Sequence, residues 1–217
     1  MKRNSKWLMI LMSLFLIFAT FTACGDAGDN ETQGDNVADI PTEVQSIIDK
    51  TTEIAANYAL QLDGEWADEY AACLASGQGR DYAGYDNLKA TLDQFRVESG
   101  AYYIYILTDM DPNDDYYEIT VDGSEEPDDW MVQYETEGQF LLAQNGQPSA
   151  ALSAWDNDVD DPVWSAFAPV YNSEGVVVGI LGVDYPAPEI LALPEWNRDT
   201  DEWNGMAHPL TPIPAED

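Results

Sequence analysis

The run from Asp161 to Tyr185, DPVWSAFAPVYNSEGVVVGILGVDY, constrains the fold of this 217-residue chain more than any other segment. Val163 to Tyr171 is apolar and aromatic. Asn172-Ser173-Glu174-Gly175 supplies turn chemistry, with a glycine free to take positive φ. Val176 to Val183 is β-branched and nearly uncharged, the pattern of a strand buried on both faces. An acid, Asp184, closes that strand. The segment therefore reads as two strands joined by a tight turn.

Helices precede it. Thr42-Glu43-Val44-Gln45 fits a capping box, in which the first and fourth residues satisfy each other's backbone donors. Val44, Ile47, Ile48, Ile54, Ala55, Tyr58 and Leu62 then follow a 3.6-residue spacing. Asp63-Gly64 breaks or bends this helix, and a second segment runs from Glu65 to Ala75. Gly77 to Gly84 reads as a loop. A third helix, capped by Asp86, carries Leu88, Leu92 and Phe95 and stops at Gly100. Ala101–Thr108 (AYYIYILT) and Asp115–Asp122 read as strands on either side of a turn at Asp109–Asp114. Glu125–Trp130 is expected as a loop, Tyr134–Gln144 as a short helix, and Pro148–Asp161 as irregular chain.

The spaced residues Trp164, Ser165, Pro169, Gly175, Gly179, Gly182 and Asp184 resemble the last two strands of the Cache family, and Tyr103-Ile104-Tyr105 resembles its first strand. These are extracytoplasmic, PAS-like sensor domains of bacterial chemoreceptors, histidine kinases and cyclases. The order of elements is similar to the single-Cache layout. The resemblance implies an α+β fold, a PAS-like antiparallel sheet with a long N-terminal helix, over residues 41–192. It also implies a small-molecule pocket formed by these strands.

The N-terminus sets an address. Lys2, Arg3 and Lys6 form a positive region, Trp7 to Phe21 is uncharged and apolar, and small residues lead into Cys24. This is the pattern of a secretory signal over residues 1–23. Phe21-Thr22-Ala23-Cys24 resembles a bacterial lipobox, although leucine is usual where Phe21 stands. The resemblance implies that Cys24 is diacylated, and two acyl chains anchor stably where one does not. Residues 24–40, acidic and without periodicity, are expected as a lipidated flexible tether, and residues 193–217 as a C-terminal tail with little periodicity. No second apolar span of transmembrane length follows the signal, and no kinase, cyclase or chemoreceptor module is read in the chain.

Charge excludes several partners. All 41 acidic residues lie beyond Cys24, where only five of the eight basic residues remain. Such a surface repels nucleic-acid phosphates and anionic lipid. Beyond Cys24 the one cysteine is Cys73, in a helical run, where a small buried hydrophobe is expected and no disulfide. His208, the single histidine, lies in the tail, so a Ser-His-Asp triad, a Cys-His pair and a histidine-rich zinc site have no histidine within the domain. There is no P-loop and no G-x-S-x-G. Among so many acids no glycosidase pair stands out. The chain is read as a non-enzyme with no cofactor, no catalytic residue and no metal site. Asp109–Asp115 places oxygen ligands at alternate positions, but Asp114 and Thr120 stand where a calcium loop needs Gly and Glu. That loop and the cluster Asp156–Asp161 are read as solvated turns.

Tyr103 and Tyr105 share one face of a strand, and the resemblance places Trp164 and Asp184 on strands beside it. An aromatic box with one carboxylate suits a cationic or zwitterionic ligand, held by ring faces and a charge-assisted hydrogen bond. The resemblance makes Tyr103, Tyr105, Trp164 and Asp184 the ligand-binding candidates. In amino-acid-binding relatives the acid matching Asp184 contacts the ligand's amino group, and an arginine holds its carboxylate. Arg80 and Arg96 are the candidates here, and neither sits in a matching motif, so amines, purines and neutral solutes stay open beside amino acids. The expected role is a lipid-anchored extracytoplasmic sensor domain that binds a small molecule, an amine or zwitterion, and acts with a separate membrane signalling protein. The alternatives are a structural surface lipoprotein with a degenerate pocket and a solute-binding accessory of a transporter. Mass spectrometry of the native N-terminus is expected to find lipid on Cys24; an unmodified terminus on a wholly soluble protein overturns the anchor.

Overall fold

The computed structural model describes residues 42–152 and 163–188, with the backbone of Trp196–Asn197 and Glu202–Trp203. The signal segment, Cys24, the tether, the cluster Asp156–Asp161 and His208 lie outside the described residues. Helix α1 spans Thr42–Leu62 and α2 spans Glu65–Ser76. A single 3-10 turn at Gly79–Asp81 leads to α3, Tyr85–Ser99. Strands β1, Tyr103–Thr108, β2, Tyr116–Asp122, and β3, Val132–Glu135, follow. Helix α4, Gly138–Gln144, crosses to β4, Ser149–Leu152, and the long strands β5, Val163–Tyr171, and β6, Val177–Pro186, complete the main sheet. Trp196–Asn197 and Glu202–Trp203 pair with each other as β7 and β8.

The six main strands lie in the order β3-β2-β1-β6-β5-β4, every neighbour antiparallel. Helix α4 carries the chain from one edge to the other, so the first and last strands meet at the centre. The fold is α+β, with the PAS-like sheet and the long N-terminal helix that the sequence implies.

One face of the sheet is covered by helices. Val44, Ile47, Ala55, Ala59 and Leu62 turn the buried stripe of α1 onto β5, and the two alanines leave room for close approach. Ile104, Ile106, Val121, Trp164, Val170 and Leu181 meet that stripe from the sheet. Leu88, Leu92 and Phe95 do the same for α3, which ends at Gly100 in the left-handed region (φ 76°). Cys73 is fully buried in α2, packed as a small hydrophobe. The corner between α1 and α2 is stitched to the β5–β6 hairpin: Gly64 N donates to Tyr171 O, Tyr171 N donates to Asp63 Oδ1, and Ser173 N donates to Asp68 Oδ1, at 2.8, 2.8 and 3.0 Å.

The structure differs from the expected elements at several points. Gln45 does not close a capping box; its amide donates to Asp49 Oδ1 at 2.8 Å, one turn onward. Helix α3 starts at Tyr85, with Asp86 in its first turn and Gly84 at the cap position. Residues 132–135 form a strand that takes in Tyr134 and Glu135, the start of the expected helix. An edge strand with exposed Gln133, Tyr134 and Glu135 has no apolar alternation to reveal it. Strand β4 arises from the small residues Ser149-Ala150-Ala151, which carry no β signal of their own and are fixed by pairing with β5.

A bulge marks the β1–β2 pair. Ile106 faces Val121 while Leu107 faces Ile119, which leaves Thr120 as the extra residue on β2. Bulges of this kind re-aim side chains. Here Tyr70, fully buried in α2, bonds the hydroxyl of Thr120 at 2.6 Å and that of Thr108 as well. Tyr70→Phe leaves those hydroxyls short of a partner and is expected to cost about 1–3 kcal/mol, read as an earlier midpoint in urea unfolding. An unchanged midpoint shows that the hydroxyls re-pair without the tyrosine.

Candidate functional site

The opposite face of the sheet carries a smaller core, with Leu107, Tyr117, Ile119, Phe167 and Ile180 packed under Phe140 of α4. Phe140 sets its ring edge-on to Tyr117 and Phe167, at 5.3 and 4.8 Å between centroids. Past the end of this core no described helix covers the sheet, and a cavity of about 670 Å³ opens there.

Its floor is built by register. Tyr103 of β1, Asp184 of β6 and Ser165 of β5 stand side by side in one cross-strand row. The next row is Tyr105, Gly182 and Phe167. A side chain at Gly182 would collide with the Tyr105 ring. Its absence lets Tyr105 lie across the strand and donate its hydroxyl diagonally to Asp184 Oδ1 at 3.3 Å. Ser165 Oγ donates to the same oxygen at 2.6 Å.

The walls come from segments without sequence periodicity. Asp122, which the bulge turns onto the same face as Ile119, stands beside Tyr105. Its carboxylate accepts from Ser124 N at 2.8 Å and Asp128 N at 2.7 Å, and so closes the following loop. Glu126 and Asp128 of that loop, Tyr134 of β3 and Glu137 before α4 complete the lining. Tyr134 donates its hydroxyl to Asp128 Oδ2 at 3.0 Å. Among the described residues five carboxylates thus line the cavity, and no lysine, arginine or histidine does.

The cations stand behind the wall. Arg80 donates to Asp128 O and lies 3.6 Å from the Asp129 carboxylate. Lys89 donates to Ser124 O at 3.3 Å. Arg96 donates to Gly123 O at 3.3 Å and approaches Glu125 at 3.8 Å. Arg80 and Arg96, the sequence candidates for a ligand carboxylate, therefore brace the loop from outside the cavity.

Of the four expected ligand residues, the structure brings Tyr103, Tyr105 and Asp184 together at the cavity. Trp164 lies elsewhere. It is buried in the core on the helix-covered face, because successive strand residues point to opposite sides and Ser165 and Phe167 take the cavity side. Strand alternation alone would have selected Ser165. The acids of the loop carried no such signal in a chain acidic throughout. At the former calcium-like loop, Asp111 and Asp114 accept from backbone amides two residues on, as turn residues do. Among the described residues no group of three or more acids, histidines or cysteines is arranged to hold a metal.

Asp184 is only partly exposed to solvent, through the cavity, and protein surrounds its carboxyl. Burial pushes its pKa up to about 7; the bonds from Ser165 and Tyr105 oppose the shift, and the charges of Glu137 and Asp122 add to it. Tyr105 is raised well above its ordinary value, first by burial and then by the Asp184 charge.

Sheet order and cavity together define an α+β domain with a PAS-like antiparallel sheet and an acidic, aromatic pocket on the face away from α1 and α3. No protein-family model matches the chain, and no curated protein does. Among solved structures it is similar to the sensor domain of the histidine kinase DctB from V. cholerae, at 16% identity and a TM-score of 0.47, over 66% of this chain and 52% of that one. It is also similar to the ligand-binding domain of the Campylobacter jejuni chemoreceptor Tlp3 in complex with L-valine, at 13% identity and 0.39, over 67% and 62%. A third is the periplasmic domain of RsbU from Chlamydia trachomatis, at 12% identity and 0.36, over 69% and 55%. The chain thus spans between half and two thirds of the length of these structures.

Folding raises the pKa of Asp184 from 3.8 to about 7, so between those values the folded chain holds a proton that the unfolded chain has released. Stability from this group is present below the unfolded pKa and falls as pH rises through the window. Asp184→Asn keeps an oxygen that accepts from Ser165 and removes the charge. The variant is expected to be more stable than wild type at pH 8 by about 2 kcal/mol, allowing for solvent in the open cavity, and equal to it near pH 4. Thermal melts of both proteins across that range check it, and parallel curves place the carboxyl in ordinary solvent.

Proposed function

We propose that this chain is an extracytoplasmic sensor domain that takes a small cationic molecule into the cavity over β1, β5 and β6. The observation that carries this reading is the half-buried Asp184, held by Ser165 and Tyr105 at the floor of an aromatic cavity with no cation among its described lining residues. An amine there gains a charge-assisted hydrogen bond from a preplaced acceptor and a cation–π contact from the tyrosine rings. The rows Tyr103–Asp184–Ser165 and Tyr105–Gly182–Phe167 set these groups on strands, which hold geometry better than loops.

Lipid on Cys24 and the acidic tether place the domain at the outer surface of a membrane, where it acts with a separate membrane signalling protein. Several of the solved domains it is similar to are described as sensor or ligand-binding domains. Among the described residues no helix is long and apolar enough to cross a membrane.

A thermal-shift screen of amines, amino acids, purines and neutral solutes is expected to find a cationic ligand. Calorimetry with that ligand is expected to show Asp184→Asn weakening binding by about 1.5–3 kcal/mol, roughly 10- to 150-fold in Kd. Equal affinities, with both proteins folded, remove Asp184 from the ligand site. A screen with no shift at all favours a structural role for the domain.

A further inference from the structure

The charge balance of the cavity reaches further than a generic amine. Five carboxylates line it, and they stand at different depths. Asp184 is in the floor, partly buried, whereas Glu126 and Glu137 are exposed. Asp122 is committed to two loop amides and Asp128 accepts from Tyr134, so both hold the wall as well as charging it. Apolar side chains share the lining, among them Ile119, Phe140, Val163 and Phe167. The cations Arg80, Lys89 and Arg96 are engaged on the outer side of the loop.

Three ligand classes meet this arrangement differently. An α-amino acid brings a carboxylate, which would face like charges with no donor cation among the described lining residues to offset its desolvation. A monoamine compensates one acid and leaves the others repelling across the same space. A molecule with an ammonium at each end of an aliphatic stem places one charge at the floor acid, lays its methylenes along the apolar walls, and brings the second charge to the outer acids. On the reading of the cavity as a small-molecule site, we propose that its ligand is a linear aliphatic diamine or polyamine, with Asp184 and Glu126 receiving opposite ends.

The test is calorimetry on the whole protein at roughly 0.15 M salt, where charges more than about 8 Å apart are largely screened. The probes are putrescine, spermidine, butylamine, valine and calcium. Putrescine or spermidine is expected to bind at one site per chain, at least about tenfold tighter than butylamine, with valine and calcium weaker still. Asp184→Asn is expected to weaken the diamine and butylamine alike, and Glu126→Gln to weaken the diamine about tenfold while leaving butylamine unchanged. Glu126 is exposed, so its variant keeps the fold, and the ranking of probes on the wild-type protein stands whatever the variants do. A diamine that binds no better than butylamine overturns the two-ended ligand and leaves the small-molecule site in place. Tighter binding of valine or calcium does the same. Binding at many sites per chain, indifferent to both substitutions, reduces the effect to diffuse attraction by an acidic surface and overturns the proposal. If none of these probes binds and the wider screen also finds nothing, this proposal and the sensor reading fall together.

Discussion

The pairing of β1 with β6 is the constraint on which the rest depends. These strands are about 80 residues apart in sequence, and helix α4 makes them neighbours by carrying the chain to the far edge before it returns. Their register sets Tyr103 against Asp184 and Tyr105 against Gly182. A slip of one residue would send Tyr105 and Asp184 to opposite faces and put Ile104 or Val183 into the cavity. The apolar face of each strand is buried under α1 and α3, so the same burial that stabilises the sheet also fixes which side chains reach the open face.

Charge is distributed with the same economy of position. The described domain has very few cations, and three of them hold one loop, donating to carbonyl oxygens of Gly123, Ser124 and Asp128. Trp130 extends the brace by packing on Gly79, where any added side chain would press on the indole, and edge-on against Tyr85. The loop is therefore fastened from behind by cations and aromatics while its acids face the cavity. That arrangement explains how an acidic wall is held in place within an acidic protein.

The elements with strong periodicity were legible in the sequence. The stripe of α1, the turn at Gly175, the buried β6 and the joint at Asp63-Gly64 all follow from local pattern and turn chemistry. Strand alternation puts Tyr103 and Tyr105 on one face, the family resemblance adds Asp184, and all three line the cavity. Trp164, a candidate through the family resemblance, lies in the core on the helix-covered face, and strand alternation places its neighbour Ser165 at the cavity. Strand β3 and the acids of the loop were not legible for a different reason. Their positions depend on the bulge at Thr120 and on bonds to Arg80, Lys89 and Arg96, contacts between segments distant in sequence. Glu118 is another example: a buried acid satisfied by Gln133 and by the amide of Met110, with nothing in the local sequence to announce it.

Asp184 has a consequence for the way this chain tolerates mutation. A carboxyl in a partly buried, acid-rich setting works against folding at neutral pH, whereas an amide of the same shape does not. Selection for stability alone would let the position drift toward asparagine. An acid that persists there in descendants of this chain would mark a place where drift is resisted, and the rate of its loss would separate lineages that still use the cavity from those that have ceased to.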